Sequence, residues 1–231
     1  MKKLILANLK MYQNTKIDVK NYLNDLNKEK DKFIAFPPII YLDRFIQNGY
    51  ICGIQNISIH KEGPHTGETS ALSIKDMGAK YILIGHSEIR QSNNETDDLI
   101  NIKIKNALNH DLIPILCIGE NLEAYNQNQT KEILKTQIFN ALKDVDKEII
   151  ISYEPVWAIG TSKTPTNEEI TDIVNYIKSL FNYKIKVLYG GSVSEENIEK
   201  LNQITNIDGF LIGKAATNPN SLKKIIEVAH T

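Results

Sequence analysis

Cysteine is scarce and carries no pairing pattern. Cys52 and Cys117 are the only two in 231 residues, both inside apolar runs and without a Cys-x-x-Cys spacing. That argues against a disulfide-stapled scaffold and reads as two small buried hydrophobes in a reducing compartment. Histidine is nearly as sparse. His60, His65, His86, His110 and His230 include no His-x-x-x-His or similar ligand spacing, so no metal centre is expected. Charge of one sign is missing too: 27 Lys and Arg stand against 28 Asp and Glu, a net charge of -1. Nucleic acid or an anionic membrane would find no long-range attraction to such a surface. No apolar run approaches the length of a membrane span. The apolar start, Leu4–Ala7, is cut by Asn8 and Lys10 well short of a signal-peptide core, so the expected address is the cytoplasm. Charge blocks, low-complexity tracts and Pro/Gly/Ser linkers are also lacking, and residues 1–231 are expected to form one domain.

What is present is a repeated unit: a short apolar run, a loop, then a helical stretch. The runs are Leu4–Asn8, Phe33–Phe36, Tyr50–Gln55, Tyr81–Ile84, Ile113–Ile118, Ile149–Tyr153, Lys186–Tyr189 and Gly209–Ile212. Most are nearly continuous rather than alternating, as parallel strands buried on both faces should be. Between them lie helical stripes. Ile170, Ile173, Val174, Ile177, Leu180 and Phe181 form one, behind a capping box of Thr166 and Glu169. Ile198, Leu201 and Ile204 form another, with Ser194 as the expected cap, and a last helix opens on Asn218 and Pro219. Eight alternations of this kind build either an open doubly wound sheet or a closed barrel. A Gly-x-Gly-x-x-Gly turn does not follow the first run, where Asn8-Leu9-Lys10-Met11 stands instead. This favours an α/β fold of the (β/α)8 barrel type, whose chemistry sits at the carboxyl ends of the strands.

The residues that close the runs are an unusual set. The first run ends in Asn8 and Lys10, and the fourth in Gly85-His86-Ser87-Glu88. The sixth ends in Glu154-Pro155, the seventh in Gly190-Gly191-Ser192, the eighth in Gly213-Lys214. Taken singly, a strand-end glutamate is usually a solvated loop carboxylate and a lone histidine a satisfied structural residue. Gathered at one barrel mouth they supply a base, an imidazole, a cation, an amide and Gly-rich turns suited to a phosphate.

Tyr153-Glu154-Pro155-Val156-Trp157-Ala158-Ile159-Gly160-Thr161 resembles the catalytic strand and lid of the triosephosphate isomerase family. Gly85-His86-Ser87-Glu88, Asn8-Leu9-Lys10-Met11 and Tyr189-Gly190-Gly191-Ser192-Val193 resemble further motifs of that family. Gln55-Asn56, Thr66-Gly67-Glu68, Cys117-Ile118-Gly119-Glu120 and Asp208-Gly209-Phe210 match in order, so the resemblance spans essentially the whole chain. It implies interconversion of dihydroxyacetone phosphate and glyceraldehyde 3-phosphate. Glu154 would be the base, and neutral His86 at a helix N-terminus would polarise the carbonyl. Lys10 and Asn8 would stabilise the enediolate, and Glu88 would orient Lys10. Backbone N–H groups of Gly160, Ser192, Gly213 and Lys214 would grip the phosphate, and Pro155–Thr161 would close as a lid. The resemblance also implies a homodimer, with loop Gln55–Glu68 reaching into the partner and bringing Thr66 near Asn8 and Glu88. No cofactor is expected, because glutamate, imidazole and ammonium suffice for proton transfer.

Four positions depart from the family pattern. Leu9 stands for tryptophan, Ile89 for arginine, Ser162 for a hinge glycine, and Lys214 for a glycine beside the phosphate. Ile89 is expected to remove an ion-pair network. Ser162 puts the lid's opening rate in question. Lys214 is expected to keep its backbone contact while its side chain points outward or adds a cation. Two other readings compete. A Schiff-base barrel aldolase needs a lysine within a strand, which Lys10 does not supply, and a dead barrel scaffold predicts loss of Glu154, His86 or Lys10.

Overall fold

The computed structural model describes residues 2–159 and 164–231. Eight parallel strands close on one another in chain order. They are β1 (Leu4–Asn8), β2 (Ile34–Phe36), β3 (Ile51–Ile54), β4 (Tyr81–Ile84), β5 (Ile113–Ile118), β6 (Ile150–Tyr153), β7 (Lys186–Tyr189) and β8 (Gly209–Ile212). β1 pairs with β2 on one side, Leu6 opposite Ile34, and with β8 on the other, Leu4 opposite Gly209. No edge strand is left, so every ladder is satisfied within the barrel. The open-sheet alternative is thereby excluded. The expected runs match the strands to within a residue at each end.

Burial divides the strand residues into two alternating sets. Leu6, Ile34, Phe36, Leu83, Ile115, Cys117, Ile150, Leu188 and Leu211 pack together in the barrel interior. Their neighbours, such as Ile5, Ala7, Ile82, Ile84, Ile151 and Ile212, pack outward beneath the helices. This is the period of two that a strand imposes, and it also fixes where the chemistry can sit. Counting in twos from Leu6, Ile150, Leu188 and Leu211 toward the carboxyl ends reaches Asn8, Ser152 then Glu154, Gly190, and Gly213. The inward rows of the core run directly into the mouth.

The helices follow their start signals. Thr166 and Glu169 form the capping box of helix Asn167–Ser179, whose Ile170, Ile173, Val174 and Ile177 are buried. Asn218 caps helix Pro219–Ala229. Ser194 acts one turn earlier than expected. Its Oγ accepts from the Glu196 N–H in a turn, and the helix proper, Ile198–Asn202, begins after Asn197.

Candidate active site

β1 delivers Asn8 and Lys10. Asn8 is 4% exposed, and its side-chain oxygen accepts the Lys10 N–H at 3.0 Å. Lys10 has φ +48°, a conformation that disfavours side chains other than glycine or asparagine. It is held there from both sides: the Lys10 carbonyl accepts from Gln55 Nε2 at 2.9 Å, and the same amide donates to the Phe36 carbonyl at 2.9 Å. The bend turns the lysine back across the mouth, where Nζ meets Glu88 Oε1 at 2.5 Å.

Two residues past the end of β4, His86 caps the short helix Ser87–Ser92. The Glu88 N–H donates to His86 Nδ1 at 3.3 Å. With Nδ1 receiving this N–H, Nε2 is the ring nitrogen that faces the mouth. That nitrogen lies 3.9 Å from Glu154 Oε1.

Glu154 follows β6 and is 1% exposed. Its Oε2 accepts the Ser87 N–H at 3.4 Å, while Oε1 has no hydrogen-bond partner among the described residues. A buried carboxylate oxygen left open is costly unless a ligand uses it. Two glycines make the room. A Cβ on Gly190 would lie 2.8 Å from Glu154 Cγ, and one on Gly119 would lie 1.7 Å from the Glu154 carbonyl oxygen. The second contact is backbone against backbone and cannot be relieved by a rotamer change. Gly119→Ala is therefore expected to displace Glu154 and destabilise the protein by about 2 kcal/mol or more. Chemical denaturation would measure the stability, and loss of turnover beyond that of surface controls would report the displacement.

The segment after β6, where the lid is expected to begin, is pinned from two directions. Trp157, in the 3-10 turn Val156–Ala158, donates from Nε1 to Glu120 Oε1 at 2.7 Å and packs on Tyr125, with ring centroids 4.2 Å apart. Tyr153 donates to the same oxygen at 3.2 Å. Burial raises the Glu120 carboxyl pKa, opposed by hydrogen bonds led by that from Trp157. On the other side, Ser192 Oγ donates to the Ala158 carbonyl at 2.8 Å. Gly160 and Thr161, expected in the lid, and Ser162 lie outside the described residues.

Gly213 sits beside Lys10, whose Cε is 3.2 Å from where a Gly213 Cβ would be. Lys214 opens the turn Lys214–Thr217 with its side chain exposed. Of the expected residues, direct contacts therefore join Asn8, Lys10, His86, Glu88 and Glu154. Gly213 lies against that group, Ser192 joins the lid segment, and Lys214 stands at the rim. Thr66 is exposed within this one chain.

Ile89 can form no ion pair, and the neighbouring position carries its own. Arg90 donates to the Gly85 carbonyl at 2.8 Å and pairs with Asp97 at 2.6 Å. Beside it, buried Lys103 pairs with Glu95 and donates to Asn56 Oδ1 at 2.8 Å. Leu9, by contrast, is wholly buried, as a packing substitution should be.

A family profile described as triosephosphate isomerase matches residues 3–229. The chain belongs to the triosephosphate isomerase family. Relatives of that name support the assignment over nearly full length. The enzyme from Mycoplasma mobile is 37% identical across 98% of this chain and 99% of its own. The one from Mesomycoplasma hyorhinis is 40% identical across 88% and 84%, respectively. That from Trichodesmium erythraeum is 36% identical across 98% and 99%. Triosephosphate isomerases interconvert dihydroxyacetone phosphate and glyceraldehyde 3-phosphate. Gln55 and Arg90 make contacts around this group of residues that their motifs do not indicate. Gln55 stands in the quoted Gln55-Asn56 pair, yet nothing local indicates that its amide reaches Lys10.

Proposed function

We propose that Glu154 is the base of the triose phosphate isomerisation this family performs, and that the mouth of the barrel is its active site. The observation that carries this reading is the open, buried Oε1 of Glu154 facing His86 Nε2 at 3.9 Å. A carbon acid between those two groups could lose its proton to the carboxylate while its carbonyl oxygen accepts from Nε2–H. The enediolate so formed returns the proton to the neighbouring carbon, and His86 moves protons between its two oxygens. Lys10, aimed across the mouth, offsets the negative charge that develops, with Asn8 beside it and Glu88 orienting the ammonium. Backbone N–H groups of Gly160, Ser192, Gly213 and Lys214 receive the phosphate. Pro155–Thr161 closes over it and excludes water. The reaction moves only protons, and this reading assigns it no metal or cofactor.

Turnover in D2O tests the base directly. A carboxylate that holds the abstracted proton exchanges it with solvent, so product is expected to carry carbon-bound deuterium, read by mass spectrometry. Product formed without any deuterium would point to direct hydride transfer and sink the assignment.

Lys214 refines the phosphate site. Its exposed side chain supports a role for the backbone N–H alone. Lys214→Gly is expected to leave kcat nearly unchanged and to shift KM by less than about tenfold. A collapse in kcat would overturn that role.

The reading extends to assembly. Apolar side chains stand exposed beside loop Gln55–Glu68: Met11 is 80% and Ile40 76% exposed. Both ends of the loop and Ile39 line a cavity of about 240 Å³. The loop's base is anchored by Lys103 on Asn56, by Asn106 on the Ile59 carbonyl, and by the Ser58 N–H on the Thr69 carbonyl. An anchored loop over exposed apolar surface supports a homodimer in which Thr66 approaches the partner's mouth. Residues 1–231 are read as one barrel domain acting in the cytoplasm. Among the described residues no helix is long and apolar enough to cross a membrane.

A further inference from the structure

Beside Trp157 lies a second cavity of about 220 Å³. Its walls come from β6, the loop after β5 and the helices Thr130–Ala141 and Asn167–Ser179. We propose that this cavity binds a small organic cation bearing N–H donors, of the alkylammonium or guanidinium class, and that occupancy holds Trp157 in place and slows turnover.

The chemistry of the lining selects the guest. Glu120 is 1% exposed, and its Oε1 already receives Trp157 and Tyr153. Its Oε2 is buried and meets no donor at hydrogen-bond geometry among the described residues, with the Thr130 side chain the nearby group that bonds to the carboxyl, so a better-placed donor could occupy it. Glu169 and Asp172 add two carboxylates to the lining. Hydrogen bonding, led by the Thr166 N–H, lowers the Glu169 pKa and keeps that group ionised. Among the described lining residues one cation, Lys131, stands against these three, and it is paired with Asp172 at 2.8 Å. An anion would be repelled, and an apolar guest would leave Oε2 unsatisfied. A cation with N–H donors meets both demands.

Aromatic and size constraints point the same way. Trp157 and Tyr125, with centroids 4.2 Å apart and planes tilted by 31°, give the cavity a π-rich wall that favours a planar or compact cation. The volume lies below the range of typical drug-sized pockets, so the guest has only a few heavy atoms. Because Trp157 is both wall and lid residue, a guest that binds this arrangement stabilises it against any other position of the lid. The effect on turnover rests on the lid reading given above, whereas the binding site does not.

Trp157 is the sole tryptophan of the chain, so its emission reports on this site alone. Methylguanidinium chloride, titrated against equal sodium chloride, is expected to change that emission saturably with a midpoint of about 1 mM. Over the same range kcat should fall. Glu120→Gln, checked for folding by circular dichroism, should weaken binding by about tenfold or more. Asp172→Asn, at the exposed rim, should weaken it by about threefold without threatening the fold. Emission that drifts linearly and alike in both salts would overturn the proposal, as would binding unaffected by both substitutions. Saturable binding that leaves kcat untouched would overturn the lid role of Trp157 rather than the site.

Discussion

Glu154→Gln is expected to lower kcat by about 10³- to 10⁴-fold, at the upper end of what a positioned base contributes. The substitution keeps the volume and shape of the side chain, so the space made by Gly119 and Gly190 stays filled. The amide oxygen can still accept the Ser87 N–H, which now meets Glu154 Oε2 at 3.4 Å. What disappears is the ability of the other oxygen to take a proton from carbon. Removing a buried charge that has one open oxygen should leave stability within about 1 kcal/mol, or improve it. A coupled assay for glyceraldehyde 3-phosphate consumption and a thermal melt separate the two effects. A loss smaller than tenfold in a fully folded protein would mean that another group abstracts the proton.

The second large effect is expected at Lys10. Lys10→Met preserves the length and apolar stem of the side chain but removes the ammonium. The loss of one preorganised charge-stabilising donor at a developing oxyanion is worth about 10²- to 10³-fold in kcat/KM. KM should rise as well, since the substrate is itself anionic. Stability should change little. Glu88, the partner at 2.5 Å, has a side chain 55% exposed and can take up water when the lysine is gone. The strained backbone at φ +48° remains, because Asn8 and Gln55 hold it through main-chain atoms of residue 10. If kcat/KM fell less than about threefold, the charge would be serving the Glu88 pair and not the reaction.

These two residues show what can be read along a chain and what cannot. Glu154 and Lys10 were visible because apolar runs end where barrel strands end, and the residue types at those ends are uncommon together. The capping box at Thr166 and Glu169 was visible for a similar reason: three residues of local spacing carry the whole signal. Gln55 gave no such signal. Its amide reaches the Lys10 carbonyl 45 residues away, a contact created only when β3 comes to stand beside β2. Arg90 gave no local signal either, since its guanidinium meets the Gly85 carbonyl and Asp97 only once the loop after β4 is folded. Glu120 belongs to a recognised motif, yet its role in holding Trp157 and Tyr153 depends on the adjacency of β5 and β6. Ser194 shows the limit of local rules from the other side: a serine with cap chemistry can close a turn and leave the helix to begin later.

Closure of the barrel by its first and last strands has a consequence for biosynthesis. Lys10 emerges from the ribosome about 200 residues before the Gly213 floor against which it lies. Until β8 docks between β7 and β1, the nascent chain presents two open strand edges and an incomplete mouth. Such edges invite pairing with other chains, and the contacts that seal them span about 205 residues of sequence, Leu4 to Gly209. A prematurely terminated chain would therefore be both inactive and prone to aggregate, so the same seam that completes the catalyst also discriminates finished chains from unfinished ones.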